Sequence, residues 1–198
     1  MEGYRRVAGL DEAGRGAWAG PVVAAAVILS PDRPEQLLRL RDVRDSKQLT
    51  PARREALEEV IRETVLTFGI GVVPPAEIDA QGIVPATSRA MTLALQDLSP
   101  PADYLLIDHL SLPTLSVPQK SISKGDAHVL SIAAASILAK VNRDRLMVAF
   151  EEQFPGYGFA RHKGYGTSQH QVALTTLGAS GIHRLSFAPL QRLATACA

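Results

Sequence analysis

The chain has 198 residues, 46% of them hydrophobic and 21% charged, with a net charge of +1. That length supports one packed domain with room for a small extension, and the composition excludes disorder. A near-zero charge neither demands nor forbids a polyanionic partner, so a basic surface has to come from local clusters, such as Arg39, Arg41, Arg44 and Lys47, or Lys140, Arg143, Arg145, Arg161 and Lys163.

Residues 5–11 and 20–29 read as two strands joined by a loop from Glu12 to Ala19, and the second is apolar throughout, as a central strand covered on both faces would be. After Pro31 and Pro34 a short helix is expected at 35–40. Asp45, Ser46, Lys47, Gln48 and Leu49 form a polar loop, and Thr50-Pro51 supplies an N-cap and a first-turn proline for a helix to about Leu66. Its apolar face is Leu57, Val60, Ile61 and Val65. A third strand runs over 68–73, and two helices separated by Gly82 follow. Tyr104, Leu105, Leu106 and Ile107 make a fourth strand ending on Asp108, a short strand is expected near 115–118, and a long alanine-rich helix runs from Asp126 to about Phe154. The loop at 155–167 is rich in glycine, aromatic and basic residues, and the remainder reads as helical. The pattern is a mixed-sheet α/β domain over 1–198, with a core to about 155 and a helical extension over about 156–198.

The single cysteine, Cys197, permits no intrachain disulfide, so a reducing cytoplasm is the expected compartment. No apolar leader follows Glu2, Arg5 and Arg6, and the longest apolar run, 22–29, is too short to span a bilayer.

The segment richest in chemistry is Leu10-Asp11-Glu12-Ala13-Gly14-Arg15-Gly16, where two carboxylates lead into a Gly-Arg-Gly turn. Carboxylates hold hard cations through oxygen, and glycines let backbone N–H groups approach an anion closely. An ordinary turn has the same composition. A dinucleotide fingerprint does not fit, because the spacing is G-x-G-x-x-x-G and a strand follows where a helix is required; no Gly-Lys-Ser/Thr closes a Walker loop either. Asp108 at a strand end and Asp126 at a helix start add two more carboxylates, each with a local explanation as turn residue or helix cap. Adjacent strand residues point to opposite faces, so Asp11 and Glu12 share a site only if the strand ends or bends between them. The five histidines have no zinc-like spacing and read as structural or surface residues; His128, two residues after Asp126, is the one of most interest.

With these blocks in order, the chain resembles the type 2 ribonucleases H of bacteria, the ribonuclease HII family. The resemblance is carried by Gly9 through Gly16 with Ala19-Gly20-Pro21; Asp45-Ser46-Lys47-Gln48-Leu49; Ile107-Asp108; Lys124-Gly125-Asp126; the stretch 131–145; His162-Lys163-Gly164-Tyr165-Gly166-Thr167; and His183-Arg184 with Ser186-Phe187. Departures are Ala17-Trp18 where the family often has proline, and His109 where glycine is common; the first bears on the rim near substrate, the second on a turn.

The resemblance implies a ribonuclease H-like fold with a five-stranded mixed sheet. It also implies a metal-dependent endonuclease acting on the RNA strand of RNA-DNA hybrids and on single ribonucleotides in duplex DNA, as in ribonucleotide excision repair. Carried over by position, Asp11, Glu12, Asp108 and Asp126 are the catalytic metal ligands, and Gly14, Arg15, Gly16 and Tyr165 sense the RNA-to-DNA junction. Four acidic ligands select Mg²⁺ or Mn²⁺, two ions with substrate bound. Lys47, Ser136, Lys140 and Arg143 are the expected phosphate contacts, the last three sharing a helix face by their spacing. A hybrid-binding module without catalysis is the rival, disfavoured because carboxylates do not help bind a polyanion. Another metal nuclease of the same superfold is disfavoured by the Gly-Arg-Gly and Lys-Gly-Tyr-Gly blocks. A nucleotide-dependent oxidoreductase is the weakest rival. Monomer is the default state, and residues 194–198 offer no charged or aromatic anchor for a protein partner.

Overall fold

The computed structural model describes residues 3–30 and 32–196; Glu2, Pro31 and Cys197 lie outside them. Strands β1 (Val7–Ala13), β2 (Val22–Ile28), β3 (Thr67–Val73), β4 (Tyr104–Asp108) and β5 (Gln119–Ile122) form one sheet in the order β3-β2-β1-β4-β5. β1 pairs antiparallel with β2 and parallel with β4, while β2–β3 is antiparallel and β4–β5 parallel. The helices are α1 (Pro34–Leu37), α2 (Pro51–Thr64), α3 (Pro75–Gln81), α4 (Ile83–Gln96), α5 (Gly125–His128), α6 (Leu130–Gln153), α7 (Phe159–His162), α8 (Ser168–Leu177) and α9 (Ala188–Ala196).

β2 is buried at every position because both faces of the sheet are covered. Its even-numbered residues Ala24 and Ala26, with Ala8 and Leu10 of β1, pack on Ala90, Met91 and Ala94 of α4. Ala25 and Val27 pack on the other side against Ala134, Ile137 and Leu138 of α6 and Leu57 and Ile61 of α2. The small side chains let the helices lie close to the strands. Gly9 is the tightest point: a Cβ there would sit 2.3 Å from the Ser131 carbonyl carbon and 2.4 Å from the Ile132 nitrogen, so only glycine lets α6 cross β1 at this depth.

Thr50 caps α2 through its Oγ1, with Pro51 in the first turn, as the sequence leads one to expect. Three boundaries differ from expectation. β1 continues through Glu12 and Ala13, because both still pair with Ala24 and Val23 of β2. The last strand lies at Gln119–Ile122 and not at 115–118; it is a half-exposed edge strand of polar residues, while Leu115 and Val117 belong to a loop packed on the core. The expected long helix is two: the Val129 N–H closes α5 on the Gly125 carbonyl, and the extended Val129 backbone starts α6. Beyond residue 155, Phe159, Leu174, Ile182 and Leu190 pack around Met147 of α6 and Ala19 of the β1–β2 loop.

Replacing Gly9 by Ala is expected to force α6 off the sheet and cost about 2 kcal/mol, within the usual range for overpacking a rigid backbone contact. Thermal unfolding of the metal-free protein measures it.

Candidate active site

One step past the Leu10–Ile107 pair of the parallel β1–β4 ladder, Asp11 and Asp108 end side by side, and the field of one raises the proton affinity of the other. Asp11 is buried, takes the Glu12 N–H at 2.7 Å, and is hydrogen-bonded by Ser136 from α6. Burial first, and then the charges of Glu12 and Asp108, push its carboxyl up to about 8. Glu12 is likewise raised by burial, against the lowering effect of Arg15, whose guanidinium lies 3.4 Å from Glu12 Oε1; the charge of Asp108 raises it again. Glu12 Oε2 is buried and has no hydrogen-bond partner. Asp108 Oδ1 takes the Gly125 N–H at 2.7 Å, which ties the start of α5 to the end of β4 and brings in Asp126.

Lys47 reaches these acids from the polar loop, 3.1 Å from Asp126 Oδ2. Burial alone would lower its pKa, but the hydrogen bond and charge of Asp126, with Asp11 and Asp45, hold it above the ordinary lysine value. Asp45 caps the Lys47 N–H at 2.9 Å, Ser46 Oγ meets Ser136 Oγ at 2.9 Å, and Arg54 donates to the Ser46 and Leu49 carbonyls. Asp45, Lys47, Asp108 and Asp126 line a cleft of 540 Å³ with the exposed His109 and His128. His109 has φ +55, a conformation glycine adopts freely, which accounts for glycine being the usual residue there.

The Gly-Arg-Gly loop is held from behind. Arg143, fully buried on α6, donates Nε to the Pro21 carbonyl at 2.9 Å, Nη2 to the Ala19 carbonyl at 3.0 Å and Nη1 to the Lys163 carbonyl at 2.9 Å. Arg184, also fully buried, donates to the Gly20 and Arg15 carbonyls, and burial with the adjacent Arg143 charge pushes it down to about 9. Gly14 has φ +93, and a Cβ on it would strike the Arg143 Nε at 1.9 Å; Gly16 faces open space. Trp18 N–H donates to the Gly164 carbonyl at 2.8 Å, so the loops carrying Gly16 and Tyr165 are zipped together. The half-buried Tyr165 ring lies 5.5 Å from Lys140 Nζ and 5.2 Å from the Arg143 guanidinium carbon. Tyr165, Lys140 and Arg54 line a second groove, of 610 Å³, with Arg145, Arg161 and Lys163.

Two expected phosphate contacts need correction. Arg143 and Ser136 share a face of α6 with Lys140, but that face turns inward. Each of the three nitrogens of Arg143 donates to a loop carbonyl, and Ser136 serves Asp11 and Ser46. Lys140 is partly exposed and pairs with Asp144 at 2.7 Å. Arg54, Arg184 and the buried His162, His170 and His183 were not given a role from the sequence; His162, His183 and Arg184 lie in matched blocks, and Arg54 and His170 carry no local pattern.

Whether divalent cations fit is decided by the donors. A buried carboxylate oxygen without a partner and a carboxyl held protonated by burial are what a cation would relieve. Among the described residues no three His, Cys, Asp or Glu side chains form a ready-made metal cage. Lys47 and Arg15 stand between the acids instead.

The solved structures that this fold resembles include ribonucleases H. The ribonuclease H2 of Pyrococcus horikoshii is 25% identical with a TM-score of 0.81, covering 96% of this chain and 98% of that one. A Bst-RNase HIII solved in complex with Mn²⁺ is 21% identical with a TM-score of 0.75 and shows the same fold. The protein is thus a ribonuclease H enzyme by class. The ribonuclease HII family model matches residues 8–190, and the ribonuclease HII of Chloroflexus aurantiacus is 54% identical over 188 residues, 95% of this chain and 89% of the relative. The chain belongs to the ribonuclease HII family. No helix among the described residues is long and apolar enough to cross a membrane.

Two outcomes follow. Because the folded protein keeps a proton on Asp11 up to about pH 8 while the unfolded chain releases it near 4, Asp11 makes the metal-free protein less stable as pH rises between those values. In chelator, the melting temperature of Asp11→Asn should gain on that of the natural protein from pH 5 to pH 8, and divalent cation should close the gap. Arg143→Lys should lose about 3 kcal/mol, because an ammonium cannot serve three carbonyls set in a guanidinium's plane; chemical denaturation reads it.

Proposed function

We propose that this ribonuclease H hydrolyses the RNA strand of RNA-DNA hybrids and cuts on the 5′ side of single ribonucleotides in duplex DNA, leaving 3′-hydroxyl and 5′-phosphate ends. The observation that carries the reading is the under-compensated carboxylate group: Asp11 and Glu12 buried beside Asp108, with Glu12 Oε2 unpartnered. Asp11, Glu12, Asp108 and Asp126 are the residues that would hold divalent cations, with oxygen ligands suited to Mg²⁺ or Mn²⁺. When bound, such ions activate a water and stabilise charge on the phosphate and the departing 3′-oxygen.

The protein's own groups do the rest. Ser136 and the Glu12 N–H orient the Asp11 carboxylate, and the Gly125 N–H orients Asp108. Lys47, with its side chain 74% exposed while tethered to Asp126, is placed to meet a phosphate at the cleft; Lys140 does the same beside Tyr165. Arg15 screens Glu12 and gives its carbonyl to Arg184, which presents the backbone of residues 14–16 outward. Those backbone groups are suited to the 2′-hydroxyl that distinguishes RNA from DNA. The Tyr165 ring, braced by two cations, offers a flat face for the adjoining deoxyribose, where an extra hydroxyl would not fit. Arg143 and Ser136 act from behind the surface.

The test is cleavage of a DNA duplex bearing one ribonucleotide, with all-DNA and long-hybrid controls, in Mg²⁺, Mn²⁺ and chelator. Metal-dependent cutting 5′ to the ribonucleotide is expected; no cutting of any ribonucleotide substrate by folded protein defeats the reading. Asp11→Asn should lower turnover by roughly 1,000-fold or more, several kcal/mol of transition-state stabilisation. Tyr165→Ala should lower cleavage at single ribonucleotides by about 10-fold, in line with losing roughly 1–3 kcal/mol of ring contact, and spare long hybrids.

A further inference from the structure

Three histidines, His162, His170 and His183, lie buried together against the Tyr165 loop, and none has a part in the chemistry above. Backbone partners at the two ends of the His183–His170 pair, a donor at Ser180 and an acceptor at Tyr165, favour one arrangement of their protons, and the Ser180 hydroxyl, also 2.8 Å from His183 Nδ1, can donate to it as well. The Ser180 backbone N–H donates to His183 Nδ1 at 2.8 Å, so that nitrogen carries no proton and His183 is protonated on Nε2. His183 Nε2 lies 2.9 Å from His170 Nε2, which must therefore accept. That leaves the proton of His170 on Nδ1, 3.0 Å from the Tyr165 carbonyl. The Thr167 N–H reaches the same carbonyl at 2.9 Å. His162 stacks on His170 at 4.4 Å between ring centroids; it accepts the Gly164 N–H on Nδ1 and gives Nε2–H to the Tyr157 carbonyl. Burial pushes His170 and His183 down to about 4, so these two rings are neutral at neutral pH.

We propose that His170 and His183 are positioning residues for substrate discrimination: a directional chain, Ser180 N–H to His183 to His170 to the Tyr165 carbonyl, sets the backbone of Tyr165 and thereby the angle of its ring. It rests on the reading of Tyr165 as the sensor of the RNA-to-DNA junction. The chain works in one direction only. A backbone N–H at its start cannot reverse, so each ring in turn is forced into a single tautomer, and the last donor is always aimed at Tyr165. The Arg143 guanidinium holds the same ring from the other side, 5.2 Å away. Tyr165 is therefore fixed through its carbonyl and over its face.

The experiment compares His170→Asn, His170→Gln and Tyr165→Ala on two substrates, a duplex with one ribonucleotide and a long hybrid, with folding checked by thermal unfolding. The asparagine amide occupies the place of Nδ1 and keeps the donor to Tyr165; the glutamine amide occupies the place of Nε2 and loses it. His170→Gln should lower single-ribonucleotide cleavage relative to long-hybrid cleavage by roughly 10- to 100-fold, the scale on which a small misplacement acts, and His170→Asn should restore most of the ratio. Equal losses on both substrates, or equal ratios for the two variants, overturn the proposal. If Tyr165→Ala shifts the ratio and His170→Gln does not, the sensor stands and the relay falls; if Tyr165→Ala leaves the ratio unchanged, both fall. Nitrogen-15 spectra of the imidazoles give a readout independent of folding defects in variants: His170 should show the Nδ1–H tautomer and His183 the Nε2–H tautomer in the natural protein, and Nε2–H on His170 overturns the relay.

Discussion

The site depends on one buried guanidinium. Arg143 lies at the crossing of the long helix with two loops distant in sequence, and its planar fork ties the Ala19, Pro21 and Lys163 carbonyls into a fixed frame. A guanidinium can do this because its N–H groups point outward in one plane and because it stays charged when buried. Burying that charge is costly, and hydrogen bonds to three carbonyls offset the cost only while both loops keep their places. Displacing either loop would leave charge and carbonyls unsatisfied together, which is why the Gly-Arg-Gly turn and the Tyr165 turn behave as one surface. Arg184 repeats the device one layer further out, on Gly20 and Arg15.

The carboxylates are held under the opposite logic. Most buried acids are matched by donors, but Asp11 and Glu12 are matched poorly, and burial raises both. Ser136, one backbone N–H and Arg15 orient these side chains without neutralising them. Lys47, the cation best placed to do so, is largely exposed and bound to Asp126 at one point, so it can shift toward a phosphate when the acids acquire another counter-charge. The protein thus stores unfavourable charge where cation and substrate phosphate would both relieve it, a pattern expected of a catalytic site more than of a stabilising ion pair.

The elements that fill the core were legible because their patterns are local. The unbroken apolar run of β2 and the Thr50-Pro51 cap of α2 say what they are without reference to the rest of the chain. Asp11, Glu12, Asp108 and Asp126 were legible as a set through the blocks that carry them. Glu12 was taken for loop because β1 continues only by pairing with β2, a partner a single strand does not reveal. The edge strand β5 escaped because an edge needs no apolar alternation. Arg143 looked like a phosphate contact since its spacing gives a helix face but not which way that face turns, and three carbonyls 20, 122 and 124 residues away settle it.

Departures from local rules also show how the part beyond residue 155 relates to the sheet. On the proposed reading, the strand-and-helix core with its four acids would serve metal and phosphate, and telling ribose from deoxyribose would fall to the loops beside it. The discriminating surface arises where the β1–β2 loop meets the segments around Gly164 and His183, through Trp18 to Gly164, Arg184 to Trp18 and Gly20 to Ile182. Every one of those bonds joins backbone to backbone, so the register of the contact does not depend on side-chain hydrogen bonds. The carboxylates are fixed by the sheet and the sensor by its attachment to the last quarter of the chain. On that reading catalysis and discrimination can vary separately, with Arg143 bonded to both loops from the helix whose Ser136 also supports Asp11.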